Sequence, residues 1–176
     1  GQMRTALARA TERFGPIHGV IHSAGVLGDG AIQQKSSEEL SRVLAPKVLG
    51  TLVLHDLFAE APLDFFLLFS SLSAIEPGFG QVAYSAANNF LDAFVHARMA
   101  RAHRRVACIS WDVWRGEGMA YDARTPLVLQ KLKEEDFDQR GILRHEGVEV
   151  FRRVLGCRLP HVLVSTSDYL QVLKTR

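Results

Sequence analysis

The sequence predicts an α/β fold built on a parallel sheet with helices on both faces. Three observations predict it. Short apolar runs of strand length alternate with helical patterns, in the order α-β-α-β-α-β-insert-α-β. Such alternation implies parallel βαβ units with right-handed crossovers. Runs such as FFLLF (65–69) are apolar without interruption, as expected of strands covered on both faces. Finally, nothing before residue 17 supplies the strand, glycine turn and phosphate-binding helix that normally begin a doubly wound sheet. The expectation is therefore a partial doubly wound, Rossmann-like sheet, lacking its N-terminal strands and glycine fingerprint.

The elements follow in order. Met3, Ala6, Leu7 and Ala10 share one helical face, and Gly15-Pro16 ends that helix. IHGVIH (17–22) is a short strand, and residues 23–35 form a glycine-rich loop. Ser36 and Glu39 make a capping box. The helix behind it carries Leu40, Val43, Leu44, Lys47, Val48, Thr51, Leu54, His55 and Phe58 at helical spacing, and Pro46 predicts a kink or break within it. LDFFLLFSS (63–71) is the next strand. A long amphipathic helix runs from about Val82 to about His103. VACISW (106–111) is a buried strand. Residues 112–142 are charged and irregular, with short helices expected around 126–134. Residues 144–156 form a helix, HVLVST (161–166) a final strand, and 167–176 a tail or linker after one unit over 1–166.

Composition excludes several classes. The 176 residues are enough for one real core; 47% are hydrophobic, 23% charged, and the net charge is +2. No basic block points to nucleic acid, and no apolar run is long enough to span a bilayer. No secretory leader pattern opens the chain. Cys108 and Cys157 lack metal-ligand or redox spacing and read as buried or idle thiols, with no metal expected. This composition fits a reducing cytoplasm.

The segment SSLSAIEPGFGQVAYSAANNF (70–90) carries the chemistry. Its GFGQVA (78–83) imitates a dinucleotide fingerprint, but six residues (72–77) separate it from the strand end at Ser71. The nearest acid after the next strand, Asp112, lies 29 residues beyond Ala83 (112 − 83), whereas the fingerprint expects about 20. The better-organised set lies elsewhere. Ser71 stands at the C-terminal end of a parallel strand, where open α/β sheets build their sites. Tyr84 and Asn88, at i and i+4, share a helix face. Lys47 lies on the preceding helix and would converge on the same crevice. Taken singly, each has an ordinary packing, capping or solvated role; their common position at the strand ends of one sheet argues for a site. His22 reads as structural or loop-ordering, since no carboxylate is paired with it in the sequence.

On these residues the chain resembles the catalytic portion of a polyketide synthase ketoreductase domain, in the short-chain dehydrogenase/reductase superfamily. The ordered matches are GVIHSAGVLGDG (19–30), LAPKVLGTLVLH (44–55), FLLFSSLSA (66–74), GQVAYSAANNFLDA (80–93), SWDVW (110–114) and Gly118-Met119. EGVEVFRRVLG and PHVLVST, nearer the C-terminus, also fit. Most of the superfamily has Tyr-x-x-x-Lys. This chain has Tyr84-x-x-x-Asn88 with Lys47 upstream, the interchange characteristic of polyketide and animal fatty acid synthase ketoreductases. Lys47 precedes Ser71 by 24 residues and Ser71 precedes Tyr84 by 13, as in the family pattern.

The resemblance implies NADPH-dependent reduction of a β-keto group on an acyl chain carried by an acyl carrier protein, within a multienzyme polyketide synthase. Tyr84 would be the general acid, Ser71 the hydrogen-bond donor to the carbonyl, and Lys47 the ammonium that lowers the phenol pKa. Asn88 would hold Lys47 or a relay water. Lys47, Tyr84, Ser23, Ala24, Gly25 and Trp111 would contact the cofactor. Trp114 and Met119 would border the substrate beneath a lid over 112–142. Many B-type members, which form the D-hydroxyl, carry Leu-Asp-Asp in the loop after the first strand. Here Leu27-Gly28-Asp29 keeps the last acid, and Glu76 stands where A-type members carry Trp. A B-type product is expected. Without the rest of the ketoreductase domain, the isolated chain is expected to bind NADPH poorly and to be inactive. The alternatives are a non-catalytic reductase remnant serving as scaffold, or a free-standing short-chain dehydrogenase.

Overall fold

The computed structural model describes residues 1–28, 30–98, 105–120 and 135–174, with the side chains of 172 and 173 left aside. Four parallel strands form one sheet: β1 (Gly19–His22), β2 (Phe65–Ser71), β3 (Arg105–Trp111) and β4 (His161–Val164), in the spatial order β1-β2-β3-β4. Helix α1 (Gln2–Phe14) precedes β1; α2 (Ser37–Leu57) and α3 (Val82–Arg98) are the first two crossovers. Helix α4 (Arg144–Gly156) leads to β4, and α5 (Tyr169–Lys174) follows it. The register aligns Phe65 with Arg105 and continues to Ser71 with Trp111, so the strand ends that matter for chemistry lie side by side.

Strand alternation divides the core into two clusters. Phe66 and Leu68 of β2 and Val106 and Cys108 of β3 pack with Leu91, Phe94 and Val95 of α3. Ile109 and Trp111 turn the other way and pack with Phe69, Val150, Phe151 and Val154. Helices therefore cover both faces, as the uninterrupted apolar strands predict.

Local chemistry explains the element ends. The Ser36 Oγ accepts from the Glu39 N–H at 3.2 Å, and the Glu39 carboxylate accepts from the Ser36 N–H at 3.1 Å, which completes the capping box. Helix α2 continues through Pro46 without a break. Arg105, at the start of β3, donates to the Val154 and Leu155 carbonyls at the end of α4, satisfying orphan acceptors there. At the far end of β3, the Asp112 carboxylate accepts from the Thr166 N–H at 3.3 Å, tying β3 to the residues after β4.

Several sequence expectations are adjusted. The strands are shorter than the apolar runs at 17–22, 63–71 and 161–166, because flanking residues turn into loops. Helix α3 is described to Arg98, so its expected extension to His103 lies outside the described residues, as do the helices expected around 126–134. The insert is anchored at its base: Trp114 bridges Ile142, and the Ile142 N–H donates to the Val113 carbonyl at 2.8 Å. Residues 135–140 within it are helical. The tail expected as a linker contains α5.

Candidate active site

The site gathers at the C-terminal ends of β1 and β2. Lys47 comes from the middle of α2 and is only 3% exposed. Its Nζ donates to the Phe69 carbonyl of β2 at 2.8 Å. A carbon added at Gly25 would lie 3.3 Å from Lys47 Cε and 3.4 Å from Met119 Cε. The loop after β1, the lysine stem and the base of the insert thus meet at one point, where a side chain on Gly25 would need Lys47 to shift by a few tenths of an ångström. Burial lowers the Lys47 pKa to about 8, partly offset by Cys108 and the Asp92 carboxylate.

Ser71 ends β2, and its Oγ accepts from the Ser73 N–H at 3.2 Å, capping the short turn Leu72–Ala74. Tyr84 begins α3, half-buried. Burial raises its phenol pKa, and hydrogen bonding by the Asn88 and Ser71 side chains pulls it part of the way back. The expectation that Lys47 lowers this pKa is corrected here: desolvation prevails, and the Lys47 ammonium is engaged by Phe69 instead.

Asn88 is fully buried one turn beyond Tyr84. Its Nδ2 donates to the Tyr84 carbonyl at 2.9 Å, while its Oδ1 has no donor. A buried acceptor left without a donor carries a desolvation cost. Lys47 is bonded to the Phe69 carbonyl rather than held by Asn88.

His22, at the end of β1, is buried against Gly50, where an added carbon would lie 3.3 Å from its Cε1. Burial, then the charge of Lys47, lowers its pKa, against backbone hydrogen bonds at Pro46 and Lys47 that raise it. It packs between β1 and α2.

The remaining candidates divide. Ser23 and Ala24 are exposed in the loop after β1, beside Gly25. Trp111 is 6% exposed in the second core cluster and stacks obliquely on Trp114, with ring centroids 5.1 Å apart. Trp114 also presses on Gly147, where an added carbon would lie 2.0 Å from its ring. Both tryptophans pack within the fold, Trp111 in the second core cluster and Trp114 against it. Glu76 is half-buried just past the turn Leu72–Ala74. Asp29 lies outside the described residues, but its neighbour Gly28 is buried, and a carbon there would come within 2.3 Å of Val43 Cγ2.

GFGQVA is a loop contact. Gly80 has φ +77°, and a carbon on it would lie 3.0 Å from the Gly30 backbone nitrogen. The second glycine of the imitation fingerprint lets the loop before α3 touch the loop after β1. One group that the sequence did not reveal is Asp92, one turn beyond Asn88, which sits in a buried polar cluster with Cys108, Ser110 and His161.

A parallel α/β sheet with lysine, serine, tyrosine and asparagine at its strand ends defines a member of the short-chain dehydrogenase/reductase superfamily. The family model described as "KR domain" matches residues 1–116. The chain belongs to that family, the ketoreductase domains of polyketide synthases. Polyketide synthase PksN of Bacillus subtilis is 38% identical over 169 residues, 92% of this chain and 3% of that protein. The 6-methylsalicylic acid synthase of Aspergillus niger is 38% identical over 136 residues, 77% of this chain and 7% of that protein. A solved ketoreductase from the first module of phoslactomycin biosynthesis in Streptomyces sp. HK803 is 28% identical, with a TM-score of 0.81, over 99% of this chain and 39% of that one. The chain thus spans a small fraction of the curated relatives it matches. No helix among the described residues is long and apolar enough to cross a membrane.

Proposed function

We propose that this chain carries the catalytic residues of a ketoreductase that reduces the β-keto group of an acyl chain tethered to an acyl carrier protein, with NADPH, inside a modular polyketide synthase. The observation that carries this reading is the meeting of Lys47, Gly25 and Met119 near the β2 end that bears Ser71 and the start of α3 that bears Tyr84 and Asn88. The residues fit the nicotinamide end of NADPH. Gly25 packs closely against Lys47, and the buried ammonium and the Asn88 Oδ1 offer polar partners. NADPH, when bound, supplies the hydride. Lys47 and Tyr84 would hold the ribose, and Ser23, Ala24 and Gly25 would line its path.

The chain's own residues handle the oxygen and its proton. The Ser71 hydroxyl donates to the substrate carbonyl where negative charge develops. Tyr84 delivers the proton to that oxygen. The raised phenol pKa keeps the hydroxyl protonated as a donor before the reaction. A water accepted into hydrogen-bond reach of Asn88 Oδ1 would restore the proton. The chain covers 39% of the solved phoslactomycin ketoreductase, and the isolated chain is proposed to bind NADPH poorly and to be inactive.

The product is proposed to be the D-alcohol of a B-type reductase, on the strength of Asp29 and of Glu76 in place of tryptophan. Reduction of a β-ketoacyl thioester by the complete domain, followed by chiral separation, tests this; an L-alcohol would sink it.

A further inference from the structure

Asp92, Cys108 and His161 are 16 and 53 residues apart in sequence (108 − 92 and 161 − 108) yet meet in space. The fold explains why. Cys108 and His161 are paired in register on neighbouring strands, so both side chains point to the face that α3 covers. Asp92 lies one turn beyond Asn88, on the sheet side of α3. One ligand atom from each of the three lies within 4.8 Å of the others. Asp92 Oδ1 is 3.2 Å from Cys108 Sγ and 3.5 Å from His161 Nε2.

Among the described residues the ion-pair partner of the carboxylate is His161, at 3.5 Å. The carboxylate is buried, and its Oδ1 accepts from a thiol, a weak donor, at 3.2 Å and from the Ser110 hydroxyl at 3.3 Å. Burying an ionised group with weak partners is costly. A divalent cation held by the carboxylate and a thiolate would bring the cluster to zero net charge.

From this convergence we propose that Asp92, Cys108 and His161 form a zinc-binding site that ties α3, β3 and β4 together. Thiolate and imidazole favour zinc over magnesium or calcium. Bond lengths of about 2.3 Å to sulfur and about 2.0 Å to nitrogen and oxygen give ligand–ligand edges of about 3.3–3.5 Å in a tetrahedron. The spacing found for Asp92 is therefore close to what zinc requires. Water takes the fourth position, within reach of Ser110, whose Oγ already lies 2.8 Å from His161 Nε2. His96 Nε2 is 3.4 Å from His161 Nδ1. Accepting a hydrogen bond from the Nδ1–H, it holds His161 in the tautomer whose Nε2 lone pair faces the metal. The Asp92 and His161 side chains are 11% and 15% exposed, so the metal has a way in. Binding replaces the Cys108 S–H bond with an S–Zn bond and releases one proton to solvent. The site lies within electrostatic reach of Lys47, whose pKa Cys108 and Asp92 raise.

Cobalt(II) titration of the purified, reduced protein tests this, because a thiolate ligand gives cobalt a sulfur charge-transfer absorption. The expected result is one equivalent bound with that band, displaced by zinc, and retained in Cys157→Ser. The band should vanish in Cys108→Ser, and affinity should fall at least tenfold in His161→Ala. No sulfur band at one equivalent, or a band that survives Cys108→Ser, overturns the proposal. Should Cys108→Ser fail to fold, as judged by circular dichroism, unchanged cobalt affinity in both His161→Ala and Asp92→Asn overturns it instead, and loss in both supports it.

Discussion

At Lys47, burial and function pull in opposite directions. Burial lowers its pKa to about 8, while the proposed role needs the ammonium. In the unfolded chain an ordinary lysine holds its proton to about 10.4. Between those values the unfolded state binds more protons than the folded one, so stability rises with pH in that window. Relative to Lys47→Met, the natural protein should gain stability from about pH 8 to about pH 10.4 and show no such relative gain below about pH 7. Urea unfolding of both proteins across that range measures it, and parallel curves would refute the burial argument. Gly28 gives a second prediction. Val43 Cγ2 occupies the space a side chain would need, and the residue is buried. Gly28→Asp, which would restore the middle acid of the B-type triplet, should therefore destabilise by about 1–3 kcal/mol through overpacking alone. Thermal unfolding checks it; an unchanged Tm would show that the loop yields freely. Lys47, Ser71, Tyr84 and Asn88 were legible because each sits in a recognisable local pattern. The unmatched Asn88 Oδ1 and the Asp92 cluster were not, because they depend on packing between α3, β3 and β4 that no spacing in the chain encodes.

Elements were legible where their signals are local. Ser36 and Glu39 lie three residues apart and form the expected box. The strand FFLLFSS stands out by its apolar run, and its last serine marks the site. Element ends were less legible. Apolar residues such as Ile17 and Leu63 pack on the core from outside the strands, so hydrophobicity overstates strand length. Pro46 illustrates a different limit: propensity disfavours it within a helix, yet the buried face formed by Val43, Lys47 and Thr51 carries α2 past it. The junction of α4 with the insert is testable. The far edge of the Trp114 indole abuts Gly147, with no space for a methyl group. Gly147→Ala should cost about 1–3 kcal/mol by displacing the indole, despite the better helix propensity of alanine. Chemical denaturation with tryptophan fluorescence as readout checks this, and a stabilised variant would contradict it.

On the scale of the whole molecule, the order β1-β2-β3-β4 brings three loops to one end of the sheet. The loop after β1 supplies Gly25, the segment after β2 leads from Ser71 to Tyr84, and the insert after β3 supplies Met119. Parallel strands make this convergence unavoidable, since every C-terminal strand end lies on the same side. That much follows from the alternation of elements in the sequence. How the side chains pack around the site does not: the stacking of Trp111 on Trp114 and the contact of Trp114 with Gly147 depend on the tertiary arrangement. The central claim is that the Lys47–Ser71–Tyr84–Asn88 set performs a ketone reduction, with Tyr84 as proton donor. The most direct measurement is the rate of NADPH oxidation with a β-ketoacyl thioester by the complete ketoreductase domain, for the natural protein and for Tyr84→Phe, with folding verified by circular dichroism. The account predicts turnover in the natural protein and a fall of about 100- to 10,000-fold in the variant. A folded Tyr84→Phe domain that reduces the substrate at the natural rate would contradict it.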